Sequence, residues 1–393
     1  MKRVLAILCI TILTLSMLAG CANKKTEGPV DEPNTDVIKT SDFDYGHIFD
    51  NDGFTRDYKT SDYVTELPKY AGLEIPEEVA TVNEADIEAQ LNEFMFYYDY
   101  VKQVKDRAVV EGDRVNIDFI GYVDGDPFEA GNTKEQGVTV VAGSNAYVEG
   151  FLTQLIGHYP GETFDIYVTM PANFEYSEVA GKDAVFKTTI NYIEERSEFT
   201  DEIVKEHLEE YRGWKTAEEA LTAMRDETQK VQIRNYIADY LTDKAKELID
   251  VEKLPEDYIK YFEDATVAFF TDQAGVLGIS FESYISLYAQ VDTKEALLEK
   301  FRENNIKEAQ RTLLVQAIAE QEGIKLTDDE VLPYMTEINA GGEEKIEMFG
   351  MAYVKHILLY HKAVDFIYDK AILPSTTHQT DAEFYRRLFL CLM

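Results

Sequence analysis

Cysteine is scarce: three residues in 393, at positions 9, 21 and 391. So few thiols exclude a disulfide framework and a cysteine-built metal centre. Positive charge is scarce too. Thirty-eight Lys and Arg stand against 74 Asp and Glu, a formal net charge of −36, which repels phosphate backbones and offers no basic stripe for counterion release. Nucleic acid is therefore a poor partner, and the acidity reads first as solubility. HExxH, CxxC, GxSxG and P-loop motifs are all missing. His356 and His361 are five residues apart, so on a helix they point about 140° away from each other and share no metal-binding face. With this many acids, carboxylate pairs arise by chance, and a glycosidase reading gains no support from them.

What is present describes a folded chain, because 45% of residues are apolar and 12% aromatic, and 393 residues are enough for two or three domains. The N-terminus carries an address. Lys2 and Arg3 precede an apolar run from Val4 to Leu15, too short to span a bilayer but suited to a signal-peptide core. The following Leu18-Ala19-Gly20-Cys21 resembles a bacterial lipobox. That resemblance implies removal of residues 1–20, a diacylglycerol thioether on Cys21, and a protein held by buried acyl chains on the outer face of the cell membrane.

Residues 21–68 are rich in Asp, Asn, Thr, Gly and Pro without sustained periodicity, and read as a flexible tether. In 69–110 a helical pattern follows Glu77, with Ile87, Leu91, Phe94, Met95 and Tyr98 on one face, as expected of a linker packing on the helical domain. Over 111–195 the period changes to two. Val115, Ile117 and Phe119 alternate with polar neighbours, as do Phe164, Ile166 and Val168, and Gly and Pro clusters punctuate the strands. One short helix is expected near Val148–Ile156. From 196 to 372 the pattern is helical: Thr216 starts a run to about Ile249, Pro255 starts a second, Thr293 a third that Gly323 closes, and Thr327 with Glu330 forms a capping box. The fold class is α+β, a small twisted antiparallel sheet followed by an elongated all-α domain. The tail 373–393 breaks the pattern, and no element is assigned to it.

Three ordered blocks carry a family resemblance: VNIDFIGYVDGDPFEAG (115–131), YVEGFLTQLIGHYPGETFDIYVTMP (147–171) and GKDAVFKTTINYI (181–193). Together they resemble the FKBP-type prolyl isomerase domain of the trigger factor family, a half-barrel. IDVEKLPEDYIKYF (249–262) and LLVQAIAEQEGIKLTDDEV (313–331) are similar to that family's helical chaperone domain. The likeness covers roughly residues 70–372. No ribosome-docking domain or basic signature loop is found before Asp113, so a ribosome is not among the expected partners.

The resemblance implies an apolar pocket. Phe119 and Phe128 fall on its aromatic walls, Glu129 on an acidic position beside them, and Tyr147 and Val148 on the pair whose second backbone N–H holds the substrate carbonyl. Phe151 falls on the floor, Phe174 on a loop tyrosine position and Phe186 on the last strand aromatic. Three departures stand out: Phe174 lacks the phenolic hydroxyl, Val138 replaces an aromatic wall, and Glu129 is longer than the usual Asp. Twisting an Xaa-Pro amide forfeits about 18–20 kcal/mol of resonance, and a twisted amide is less polar than a planar one. A dry aromatic cavity therefore suits the reaction without a cofactor. The implied function is a membrane-tethered prolyl isomerase and chaperone acting on unfolded, newly exported polypeptides and their Xaa-Pro segments. Two alternatives remain: a binding-only chaperone whose aromatics are simply half-barrel core, and a solute- or surface-binding lipoprotein. Stripes such as Phe262, Val267, Phe270 and Leu277, or Met348, Met351 and Leu358, read either as interhelical packing or as a cradle for clients.

Overall fold

Six antiparallel strands carry the period-two stretch: β1 (Val101–Val104), β2 (Arg114–Val123), β3 (Asp126–Asn132), β4 (Val138–Val141), β5 (Thr163–Thr169) and β6 (Asp183–Arg196). They belong to a computed structural model that describes residues 41–174 and 176–374. The signal run, Cys21 and the tail beyond Pro374 lie outside the described residues. β6 is the spine of the sheet, with β1, β2 and β5 as its neighbours, and β2 also pairs with β3 and β4. Alternation decides the faces: Val115, Ile117, Ile166, Phe186 and Ile190 point into one core with Phe151, Leu152 and Leu155. The short helix expected at 148–156 is a single 3-10 turn, Leu152–Leu155. Gly150 and Gly157, both with positive φ, bracket it and leave no room for a longer helix.

Helix α1 (Glu84–Tyr97) precedes the sheet and is capped by Asn83, whose side chain accepts the Ala85 N–H. Leu91 and Met95 bury themselves with Ile203 of α2 (Asp201–His207), flanked by Phe94, Phe199, Leu221 and Met224. The sheet, α1, α2 and the first turns of α3 (Ala217–Leu248) form one compact unit, Val82–Glu227.

The second unit joins the described residues 41–81 with 228–374. Its longer helices are the rest of α3, α4 (Glu256–Val276), α5 (Lys294–Glu322), α6 (Asp328–Glu337), α7 (Glu343–Phe349) and α8 (Met351–Lys370). Their starts and stops follow local chemistry. Pro255 precedes α4, Thr293 accepts the Ala296 N–H at the start of α5, Gly323 ends α5 in the left-handed region, and Thr327 with Glu330 closes a capping box on α6. Ile233, Ile237, Leu241 and Ala245, one turn apart on α3, are fully buried against Tyr258, Leu313, Leu314, Ile318 and Leu358. Phe262 and Phe270 are likewise core, whereas Leu277 is half exposed. Among the described residues no helix is long and apolar enough to cross a membrane.

The tether reading of 21–68 does not hold for its described part. From residue 41 onward the chain is a strap built into the helical core, with Tyr45 and Phe49 wholly inaccessible to solvent. Tyr45 meets Phe349 edge-on at 5.0 Å, and Phe49 stacks on His356 at 4.0 Å. Asp272 accepts bonds from the Ser41 N–H and the Tyr45 hydroxyl, and Gln316 accepts from the Thr55 N–H. Gly53 lets the strap lie flat on α8, since a Cβ there would stand 2.6 Å from the His356 backbone nitrogen. Asp, Asn and Gly suggested disorder, but they punctuate an aromatic series whose burial fixes the strap, at roughly 1.5–3 kcal/mol per large side chain. The unit boundaries also move. Residues 70–81 belong with the helices, stitched to the end of α8 by Ile372, whereas 196–227 belong with the sheet.

Candidate active site

Four strand and loop segments bring an aromatic cluster together in the sheet unit. Phe119 comes from β2, Phe186 from the adjacent β6, Phe128 from β3, and Tyr147 with Phe151 from the loop before the 3-10 turn. Phe151 lies at the bottom, 1% exposed, with the rings of Phe186, Phe119 and Tyr147 at 5.0, 5.4 and 5.5 Å. The contacts to Phe186 and Phe119 are edge-to-face, which sets ring edges against ring faces as the aromatic quadrupole favours. Phe128 meets Phe186 at 5.7 Å and Phe119 meets Tyr147 at 6.2 Å. Phe119 and Phe128 are half-buried and Tyr147 is 36% exposed, so the cluster opens to solvent over a closed floor.

Two glycines that sequence reasoning passed over shape one wall. A Cβ on Gly121 would come within 2.7 Å of both the Phe128 and Phe186 rings, and one on Gly131 within 2.5 Å of Phe128. Phe128 is thus packed against bare backbone on β2 and β3. The pattern G-Y-V-D-G-D-P-F-E-A-G carries the signal, because glycines flanking an aromatic across a tight turn leave space for its ring.

The remaining sequence candidates divide. Val138 faces the core from β4, paired with Ile117, and Val148 is half-buried beside the cluster. The Val148 N–H donates to no acceptor among the described residues, leaving that donor available to a ligand. Phe174 is half-buried against the same core, with the Tyr176 ring 6.0 Å away. Glu129 is the exception. Its side chain is 87% exposed and its Oε1 accepts a bond from Lys134 at 2.9 Å, so it stands on the rim and not in the cluster.

Electrostatics match an apolar site. Glu129 lies below its ordinary range because Lys134 donates to its charged form. Burial pushes the Tyr147 phenol up, so it stays neutral. Among the described residues the rings packed on Phe151 carry no charge, Tyr147 being neutral, and the arrangement offers shape, dryness and one backbone donor.

Two family descriptions match the chain. FKBP-type peptidyl-prolyl cis-trans isomerase covers residues 105–191, and bacterial trigger factor protein C-terminus covers 218–369. Similar curated proteins include trigger factors from Halothermothrix orenii, 33% identical over 77% of this chain and 71% of that protein, and from Geobacillus sp. (strain WCH70), 30% identical over 78% and 72%. A third, from Acetivibrio thermocellus, is 27% identical over 87% of this chain and 79% of its own length. The FKBP-type match over the sheet, the trigger factor C-terminus match over the helices, and one-third identity across most of both chains together establish that this chain belongs to the trigger factor family.

Proposed function

We propose that the chain is a prolyl cis–trans isomerase and chaperone for exported polypeptides, held at the outer face of the cell membrane by a lipid on Cys21. The observation that carries the isomerase reading is the Phe151 floor: a buried ring walled by Phe119, Phe186 and a Tyr147 whose phenol burial keeps neutral. A pyrrolidine ring stacked there leaves water, the substrate carbonyl takes the free Val148 N–H, and the twisted amide loses less by desolvation than the planar one. Only backbone rotation is catalysed, so no proton or electron moves. Client binding draws on family membership and on the helical unit, where Leu277, Leu287 and Tyr288 are each more than half exposed.

Phe151→Leu tests the floor. It keeps apolar volume, so the fold survives, but removes the flat surface. Prolyl-peptide isomerisation by the full chain is expected to fall several-fold with an unchanged circular dichroism spectrum and unchanged protection of an aggregating client. A wild-type rate of zero, or an unaffected variant, removes the enzyme and leaves the binding-only chaperone, which the absent hydroxyl at Phe174 independently favours. For the anchor, Cys21→Ser is expected to abolish metabolic acyl labelling and retain the signal peptide. Unchanged labelling would end the lipoprotein reading.

A further inference from the structure

Strand β2 changes partner on one edge just where the pocket wall stands. Ile117 pairs with Val138 of β4 and Ile120 with Asn132 of β3, so Asp118 and Phe119 lie in the gap between two ladders. A strand N–H in such a gap needs another acceptor. The Thr133 hydroxyl oxygen accepts the Phe119 N–H at 3.1 Å, and the Thr133 N–H donates to the Phe119 carbonyl at 3.1 Å. Thr133 Oγ1 in turn donates to Asp118 Oδ1 at 2.7 Å. The same Oδ1 accepts the Gly137 N–H at 3.0 Å, closing a loop in which Lys134, Glu135 and Gly137 all have positive φ. That backbone is unfavourable for two non-glycine residues and persists because its ends are fastened.

The opposite edge of β2 supplies the second half of the device. Asn116 pairs with Tyr192 and Ile117 with Ile190, so Asn191 is the extra residue of a β-bulge on β6. The bulge aims its side chain across β2, where Nδ2 donates to Asp118 Oδ2 at 2.8 Å and to Asn116 Oδ1 at 2.8 Å. Both carboxylate oxygens are therefore occupied by donors from two different elements. Burial pushes the Asp118 carboxyl up, but the bonds from Asn191, Thr133 and the Gly137 N–H outweigh it and hold the group below its ordinary range.

We infer that Asp118 is a positioning residue for the isomerase site: its carboxylate, through Thr133 and the Asn191 bulge, fixes the backbone of Phe119 and thereby the wall that faces the Phe151 floor. This rests on the isomerase reading above. Asp118 touches no substrate. It acts by replacing a missing stretch of ladder with a side-chain bridge, so that the Phe119 ring stays at 5.4 Å from Phe151 and 5.6 Å from Phe186.

Asp118→Asn is the test in the full chain. It is isosteric, but its NH2 group must face a donor, Asn191 on one side or Thr133 and Gly137 on the other. Two readouts separate the claims. The first is amide hydrogen exchange. The Phe119 N–H is expected to exchange at least about tenfold faster in the variant, while exchange at Val115 in the sheet core stays unchanged. The second is kcat/KM on an Xaa-Pro peptide, expected to fall about fivefold or more. Thr133→Val should reproduce both effects, Thr133→Ser should restore them to wild type, and Asp118→Asn with Thr133→Val together should cost no more than either alone. Unchanged exchange at Phe119 overturns the inference whatever the rates are. Faster exchange with an unchanged kcat/KM overturns the positioning role, and faster exchange in the variant when wild type isomerises nothing sinks the proposed activity while leaving Asp118 as the residue that sets Phe119.

Discussion

The two units of this chain are organised on opposite principles. In the sheet unit the core residues come from one continuous stretch, and the aromatic cluster spans only residues 119 to 186. In the helical unit a strap near residue 45 is completed by side chains some two to three hundred positions away, as in the bonds from Ser41 and Tyr45 to Asp272 and from Thr55 to Gln316. Nearby partners leave a local pattern, whereas distant ones do not. The sheet unit should therefore survive damage to the strap, and the helical unit should not.

The largest expected effect breaks that asymmetry directly. Tyr45→Ala and Phe49→Ala each remove a fully buried aromatic ring, at about 3–5 kcal/mol per large-to-small change. Together they approach the whole stability of an ordinary domain. Thermal melting followed by hydrogen exchange is expected to find the helical unit open and the sheet unit still protected. A double variant that melts like wild type would restore the flexible tether.

A smaller effect comes from titration. Burial, with Arg311 nearby, lowers His356 to about 3, and burial, with Arg234 and Arg311, lowers His361 to about 4. Both imidazoles are neutral in the folded helical unit, whereas in the unfolded chain they charge as pH falls through about 6.5. The unfolded state then binds more protons, so stability is lost as pH drops from about 6.5 toward those depressed values, by at most about 1.4 kcal/mol per pH unit per histidine. The sheet unit draws instead on carboxylates held low, with Asp113 and Glu195 on Arg107 and Asp118 in its bridge. Its stability persists until pH falls into the carboxylate range. Urea midpoints at pH 7 and pH 5 should separate the units, and His356→Gln should reduce the slope of the helical one. Parallel slopes would show that the histidines do not govern the difference.

This contrast also explains what could be read from residues alone. Period-two alternation, the Gly and Pro punctuation and the helix caps at Pro255, Thr293, Gly323 and Thr327 are local signals, and each holds in the fold. The strap was missed because Asp, Asn and Gly between Phe43 and Tyr58 weighed more than the aromatics they separate, and burial of those aromatics depends on helices far along the chain. The cluster of Phe119, Phe128, Tyr147, Phe151 and Phe186 was legible only through the family resemblance of the three sequence blocks that carry it. Gly121 and Gly131 were not, since close packing of a ring on backbone has no periodicity. The Asn191 bulge was hidden for a related reason: one inserted residue shifts register without altering composition.

The smallest effect sharpens the pocket itself. The family resemblance puts Glu129 beside the aromatic walls, yet it follows Phe128 on a strand where successive side chains point to opposite faces. Phe128 turns inward, and Glu129 turns out to Lys134 on the loop, 2.9 Å away and 87% exposed. A solvent-facing ion pair of this kind contributes little, and salt screens what remains. In the proposed reaction, a carboxylate on the rim also has no path to an amide held on the floor. Glu129→Gln keeps size and removes charge, so kcat/KM on a neutral Xaa-Pro peptide is expected to stay within about twofold of wild type, and the melting temperature should not move. A peptide with Lys or Arg flanking the proline is the discriminating substrate. If the variant loses activity only on that peptide, and the loss fades in salt, Glu129 acts as a rim charge that selects cationic clients. A fall of tenfold on the neutral peptide would mean that the carboxylate reaches the substrate backbone after all, which requires Lys134 to release it.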